Sequence, residues 1–359
     1  MRPRPSGSAR SFGSAAWGAF LPSPESNAVI FGCAGPSLSP QERVFFREAN
    51  PAGFILFKRN CEGPDQVRAL VRELRATVGR AEAPVLIDQE GGRVARLQPP
   101  HWRAYPAPAA LGALGGARAR EAVRLVARLI ADDLADLGIT VDCLPVLDVP
   151  QPGADPVIGD RAYAGDPAGA ARLGRAACEG LLEGGVLPVI KHIPGHGRAK
   201  VDSHHALPRV TATRAELDAT DFAPFRALAD MPWAMTAHIV YTAVDADAPA
   251  TLSPLVIRDI IRASMGFDGV LVSDDLSMNA LGGPIGARAS RALASGCDLA
   301  LHCNGDPAEM AAVAGAVVPL TPDARRRLDR AEARRGAPAA LDRGAAEARL
   351  EALLGGAAA

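Results

Sequence analysis

The sequence predicts an α/β fold, a single-domain (β/α)8 barrel of the TIM type. Three observations predict it. Short apolar, β-branched runs alternate with longer helical patterns. Eight such pairs fit into roughly 290 residues, the usual length of this barrel. Charged residues also stand at the C-terminal ends of most runs, where such barrels build their sites. A doubly wound open sheet is the alternative. It would carry a glycine-rich phosphate turn after an early strand, and the sequence has none.

The strands are expected at 28–33, 53–58, 84–88, 139–147, 186–191, 233–238, 269–274 and 299–303. The helices are expected near 40–49, 64–79, 118–137, 167–184, 214–229, 254–264, 286–296 and 307–318. Ser39-Pro40-Gln41-Glu42 is a capping box with proline in the first turn. Val123, Val126, Leu129, Ile130, Leu134 and Leu137 recur at helical spacing, and Gly138 ends that helix. The barrel should occupy residues 28–320. Residues 1–27, rich in Ser, Pro, Arg and Gly, read as a disordered N-terminal extension. They hold no apolar run of signal-peptide length. The Ala/Arg-rich stretch 321–359 reads as one or two surface helices without chemistry.

Composition narrows the function. A chain of 359 residues with a formal charge of −1 gives no electrostatic reason to bind nucleic acid or an anionic membrane. No apolar run approaches the ~20 residues of a membrane span. The six cysteines are scattered, without a C-x-x-C pair, and read as reduced thiols in a cytoplasmic protein. Only three of the 39 basic residues are lysines: Lys58, Lys191 and Lys200. A chain that has drifted this far toward arginine keeps lysine where a compact point charge is useful.

The most informative segment runs from Lys191-His192-Ile193-Pro194-Gly195-His196-Gly197 to Asp202-Ser203-His204. An apolar strand ends at Lys191 and opens into a polar, histidine-rich loop with residues that helices and strands avoid. Ordering such a loop is costly, which points to function. Read alone, the loop also fits a metal site or a satisfied polar turn. Other strand ends add Asp88 with Gln89-Glu90-Gly91-Gly92-Arg93 and Arg96, then Asp148 and Arg161, His238, Asp274-Asp275, and His302. A ring of Asp, Lys, Arg and His suits multidentate binding of a hydroxylated ligand such as a sugar. Zinc catalysis fits less well, because no H-E-x-x-H is present. A serine nucleophile lacks its G-x-S-x-G elbow.

Taken together, these motifs resemble glycoside hydrolase family 3, and within it the single-domain bacterial β-N-acetylhexosaminidases of peptidoglycan recycling. The matching segments are Gly53–Phe57, Asp88–Val94 with Arg96, Gly159–Arg161, Lys191–Gly197, Asp202–His204 and Ser273–Met278. Ile193 stands where the family more often has Phe. There is no room for the second α/β domain of many family 3 glucosidases. The resemblance implies Asp274 as nucleophile, His204 as general acid/base and Asp202 as its orienting partner. It implies Asp88, Arg96, Arg161, Lys191 and His192 as the residues that hold an N-acetylglucosamine ring, with no metal and no cofactor. The implied enzyme is a monomeric, retaining exo-β-N-acetylglucosaminidase. Its substrates would be cytoplasmic muropeptides, as small molecules, with neither nucleic acid nor membrane as partner. A phosphorylase using the same site is the alternative, and a catalytically silent sugar-binding barrel is a third reading. Alternation along the strand points Asp275 away from Asp274, as a structural carboxylate.

Overall fold

The computed structural model describes residues 26–203 and 206–355. Eight parallel strands close on themselves: β1 (Asn27–Phe31), β2 (Pro51–Leu56), β3 (Val85–Ile87), β4 (Val141–Asp142), β5 (Leu187–Ile193), β6 (Trp233–Thr236), β7 (Val270–Asp275) and β8 (Leu299–His302). Neighbours in sequence pair throughout, and β1 pairs with β8 (Val29 with Ala300) to complete the ring. Period-two alternation sorts the side chains. Ile30, Ile55, Leu86, Val141, Leu187, Val189, Val270, Val272 and Leu299 fill the barrel. Phe31, Phe54, Leu56, Val85 and Ile87 face outward onto the helices.

The principal helices match the periodicity: α1 (Pro40–Ala49), α2 (Pro64–Thr77), α3 (Gly116–Leu137) and α4 (Pro167–Glu183). The Ser39–Glu42 capping box is formed, and Gly138 closes α3 in the left-handed region at φ 79°. The expected helix at 214–229 is two short ones, α5 (Arg214–Ala219) and α6 (Ala223–Ala227). Pro224 lacks the N–H that a continuous helix would need and is tolerated in a first turn, so one helix ends at Ala219 and another starts at Ala223. Residues Val256–Ser264 wind as a wide π-helix. Then come α7 (Ile285–Ser295) and α8 (Pro307–Ala314).

Other expectations are corrected. The strand expected at 139–147 pairs only at Val141–Asp142, with an isolated bridge from Val146 to Lys191. Pro145 cannot donate to the ladder, so the strand stays irregular around it. Asn27, assigned to the extension, opens β1, and the buried Ser26 accepts from the Leu320 N–H at 2.8 Å. Residues 1–25 lie outside the described residues. The C-terminal segment is more than a surface appendage. In α9 (Pro322–Arg334), Ala324, Leu328 and Ala331 join the side chains that fill the barrel and seal its N-terminal end. The last helix, α10 (Arg343–Gly355), packs against α3. No described helix is long and apolar enough to cross a membrane.

Candidate active site

With the bottom sealed, the barrel opens only at the C-terminal ends of its strands. A cavity of about 300 Å³ lies there. It is lined by Asp88, Arg96, Arg161, Lys191, His192, Asp202 and Asp274, seven of the eight residues singled out in the sequence. The eighth, His204, lies outside the described residues. Asp88 leaves β3 and Asp274 leaves β7, four strands apart in a ring of eight. The two carboxylates therefore enter from opposite sides.

Five charges of alternating sign form one wall. Asp88 accepts from Arg96 at 3.0 Å and from Lys191 Nζ at 2.8 Å. Lys191 Nζ lies 2.6 Å from Glu90 Oε1. Arg161 donates to both Glu90 oxygens, each at 2.8 Å. Burial would raise the Asp88 carboxyl, but Lys191 and then Arg96 override it and hold it below the usual carboxylate range. The same contest holds Glu90 down at about 2, with Lys191 and Arg161 outweighing burial. Burial works against the Lys191 ammonium, and Asp88 with Glu90 still push it above the ordinary lysine value. All five groups are therefore charged at neutral pH.

Glu90 was visible in its motif but received no role. It lies two residues after Asp88 on extended backbone, so both side chains share one side. That alternation was the signal for a second carboxylate. The local backbone follows from glycine. Gly91 has φ 89°, and a Cβ there would sit 2.5 Å from the Pro106 carbonyl oxygen. It shapes a hairpin of Gln89–Gly91 with Val94–Ala95 that the sequence pattern did not reveal. Arg93 ties this hairpin to the turn carrying Arg161, through Asp160 at 2.8 Å and the Val157 carbonyl at 2.5 Å.

The loop after β5 is anchored on Asp148. This buried carboxylate accepts from His192 Nδ1 at 2.7 Å and from the backbone N–H of His196 at 2.6 Å. Burial would raise its carboxyl, and the His192 and His196 contacts lower it instead. A carboxylate can only accept, so Nδ1 of His192 carries a proton and Nε2 is left for the cavity. A Cβ on Gly197 would lie 2.0 Å from the Val149 carbonyl oxygen, so only glycine passes there. His196 Nε2 lies 3.2 Å from Ser203 Oγ, next to Asp202. Burial pushes His196 down to about 4, so it is neutral at pH 7.

The two neighbouring aspartates of β7 divide their work. Asp275 Oδ1 accepts from the N–H groups of Ser277 and Cys303, and Oδ2 from the Ser277 hydroxyl at 2.6 Å. Its carboxylate is spent on local structure, although it borders the cavity. Asp274 turns into the cavity. His302, grouped with the site by its strand-end position, points outward to Glu309 at 3.0 Å and packs on Phe31. His238 is fully buried and does not line the cavity. Apolar lining comes from Ile55, Phe57, Met235, Met278 and Leu301.

A carboxylate facing a wall of paired charges, across a cavity of about 300 Å³, suits multidentate binding of a hydroxylated ligand. Residues 37–334 match the family model for the glycosyl hydrolase family 3 N-terminal domain. The chain belongs to glycoside hydrolase family 3. Over 283 residues, this family 3 glycosidase is 39% identical to a beta-hexosaminidase of Alkalilimnicola ehrlichii, covering 77% of this chain and 80% of that protein. It superposes with a TM-score of 0.81 on NagZ from Neisseria gonorrhoeae bound to N-trifluoroacetyl-D-glucosamine. That match has 32% identity and covers 94% of this chain and all of the other. A family 3 beta-N-acetylglucosaminidase from Paenibacillus gives a TM-score of 0.82 at 34% identity, over 91% of this chain. The chain spans 66% of that longer protein.

Proposed function

We propose that the enzyme is a retaining, exo-acting β-N-acetylglucosaminidase that releases N-acetylglucosamine from cytoplasmic muropeptides during peptidoglycan recycling. The observation that carries this reading is the Asp274 carboxylate facing the Asp88–Lys191–Glu90–Arg161 wall across a closed-bottomed cavity of about 300 Å³. A cavity of that size and shape accepts a terminal sugar, not the middle of a chain. The names of the relatives, beta-hexosaminidase and beta-N-acetylglucosaminidase, support the substrate class.

In the proposed cycle Asp274 attacks the anomeric carbon and forms a covalent glycosyl-enzyme. His204 gives a proton to the departing oxygen, and Asp202 orients its ring. His204 then takes a proton from the water that attacks the same carbon from the face the leaving group left, which breaks the bond to Asp274 and frees its carboxylate. The sugar hydroxyls pair with Asp88, Arg96, Arg161, Lys191 and His192; the first four are charges held in place by the ion-pair network, and His192 is held by Asp148, so none needs rearrangement. Nucleophile and acid/base are both side chains, so the reading needs no metal or cofactor, and it takes the enzyme to act as a monomer.

The test compares a chromogenic β-N-acetylglucosaminide with the matching β-glucoside and reads the first-formed product by NMR. Preference for the N-acetyl sugar with a β-configured product supports the proposal. An α-configured first product excludes it. Accumulation of N-acetylglucosamine 1-phosphate in phosphate buffer identifies a phosphorylase instead.

A further inference from the structure

Three fully buried side chains lie under the point where Asp274 and Asp275 leave β7. They are Thr236 at the end of β6, His238 two residues later, and Thr251 in the turn Ala250–Leu252. The Asp274 N–H donates to Thr236 Oγ1 at 3.3 Å. Thr236 Oγ1 lies 2.7 Å from Thr251 Oγ1, which lies 2.7 Å from His238 Nδ1. His238 Nε2 lies 3.0 Å from the Asp275 carbonyl oxygen. One string of contacts thus begins on the backbone of Asp274 and returns to the backbone of Asp275.

Chemistry sets the direction of every proton in it. A carbonyl only accepts, so His238 Nε2 carries hydrogen. Burial, opposed by Asp274 and Asp275, keeps the ring below the ordinary histidine value and neutral at pH 7, so Nδ1 accepts. The single hydroxyl proton of Thr251 goes to Nδ1 at 2.7 Å, ahead of the Ala237 carbonyl at 3.1 Å. Thr236 donates to Thr251 and accepts from Asp274. Each group gives one hydrogen bond to the next, an arrangement in which the bonds polarise one another. Apolar side chains in this space would leave the Asp274 N–H and the Asp275 carbonyl without these partners, so the polar set is tied to the backbone that carries the two carboxylates.

We propose that Thr236, Thr251 and His238 are positioning residues for Asp274: they clamp the backbone on both sides of the Asp274–Asp275 peptide and so aim the carboxylate at the anomeric carbon. None of them touches the sugar. The proposal rests on Asp274 being the nucleophile.

The experiment is inactivation by a 5-fluoro-N-acetylglucosaminyl fluoride. The maximal trapping rate and the inhibitor affinity are read separately, the label is mapped by mass spectrometry, and unfolding temperatures are recorded alongside. Thr251→Val should slow trapping roughly 10- to 100-fold, the scale of a small misplacement of a reacting group. Affinity should stay near the wild-type value. Thr251→Ser, which restores the hydroxyl, should recover most of the rate. His238→Gln, which keeps a donor for the Asp275 carbonyl, should fall between, and it serves if Thr251→Val does not fold. Wild-type trapping rates in Thr251→Val or His238→Gln would overturn the proposal. So would a loss that Thr251→Ser does not repair. A wild-type label on a residue other than Asp274 would instead remove the nucleophile assignment on which the proposal stands.

Discussion

Lys191 is one cation shared by two carboxylates, with its side chain 2% exposed. Lys191→Met should therefore leave Asp88 and Glu90 as neighbouring anions, each with only its arginine, Arg96 or Arg161, and no cation between them. Breaking a buried pair in this way costs about 3–5 kcal/mol. Chemical denaturation should show that loss, and sugar affinity should fall with it. Asp274→Asn is the opposite kind of change. It keeps the shape and removes the nucleophile, so turnover should fall by several orders of magnitude with the fold intact. A fluoro-sugar label should map to residues 269–278 in the parent enzyme and be absent from the variant. At this scale the candidate site was largely legible. Asp88, Lys191, His192 and Asp274 stand at strand ends, the resemblance implied the full set of eight, and seven of the eight line the cavity. What escaped was the pairing of the groups behind them, although Glu90 and Asp148 stand in the strand-end segments. Glu90, Asp148 and Thr251 never meet the cavity, and their partners are 40 to 100 positions away in several cases or on other strands. Asp148 reaching His192 is such a pairing. Beyond the Asp88–Glu90 alternation, no local spacing announces these pairings, because only folding brings the partners together. His302 misled for a related reason: at the end of β8, alternation, not position, decides which way a side chain points.

Among the elements, the loop after β5 and the helix α9 serve different ends. The loop holds the proposed acid/base, His204. His204→Ala should slow hydrolysis of a natural sugar leaving group far more than that of an activated aryl group, which departs with little protonation. Asp202→Asn should show the same pattern more mildly. A leaving-group series on both variants decides it, and equal slowing across the series assigns the acid elsewhere. For α9 the expectation is reversed. Leu328→Ala opens a hole in the seal at the barrel's far end and should cost about 2–5 kcal/mol. The kcat/KM of the folded fraction should stay close to wild type, because the cavity is at the other end. All eight barrel strands and the main helices were readable from their periods. The exceptions have identifiable causes. Pro145 and Pro224 interrupt backbone bonding inside segments whose apolar pattern continues. The two-residue pairing of Arg209–Val210 with Val240–Tyr241 is too short to carry a pattern at all. The apolar stripe of α9, Ala324, Leu328 and Ala331, is narrow and set among arginines, so it reads as surface until the barrel end it plugs is known.

For the whole molecule, two buried carboxyls pull stability in opposite directions with pH. Glu90 drops from 4.5 to about 2 on folding. Its contribution is complete above pH 4.5 and disappears as the pH falls through 2. Asp142 is the reverse. Burial raises its carboxyl well above 3.8, and its Oδ2 has no hydrogen-bond partner among the described residues. Folding must then keep a proton that the unfolded chain gives up above pH 3.8, so the penalty grows with pH. Asp142→Asn removes that penalty. It should raise unfolding free energy by about 1 kcal/mol or more at pH 8, and the two curves should converge near pH 4. Equal stability at both pH values would show that Asp142 is already ionised in the fold. The ring itself has another consequence. Its closing pair joins β1 to β8, and the Leu320 N–H meets Ser26 just beyond. During synthesis the first strand leaves the ribosome tens of seconds before its last neighbour, at about 5–20 residues per second. Through that interval the apolar Ala28-Val29-Ile30-Phe31 edge has β2 on one side and nothing on the other. The barrel cannot mature strand by strand into a working half. Until the final strand and its sealing helix arrive, that flank stays an unpaired edge on which another chain could add.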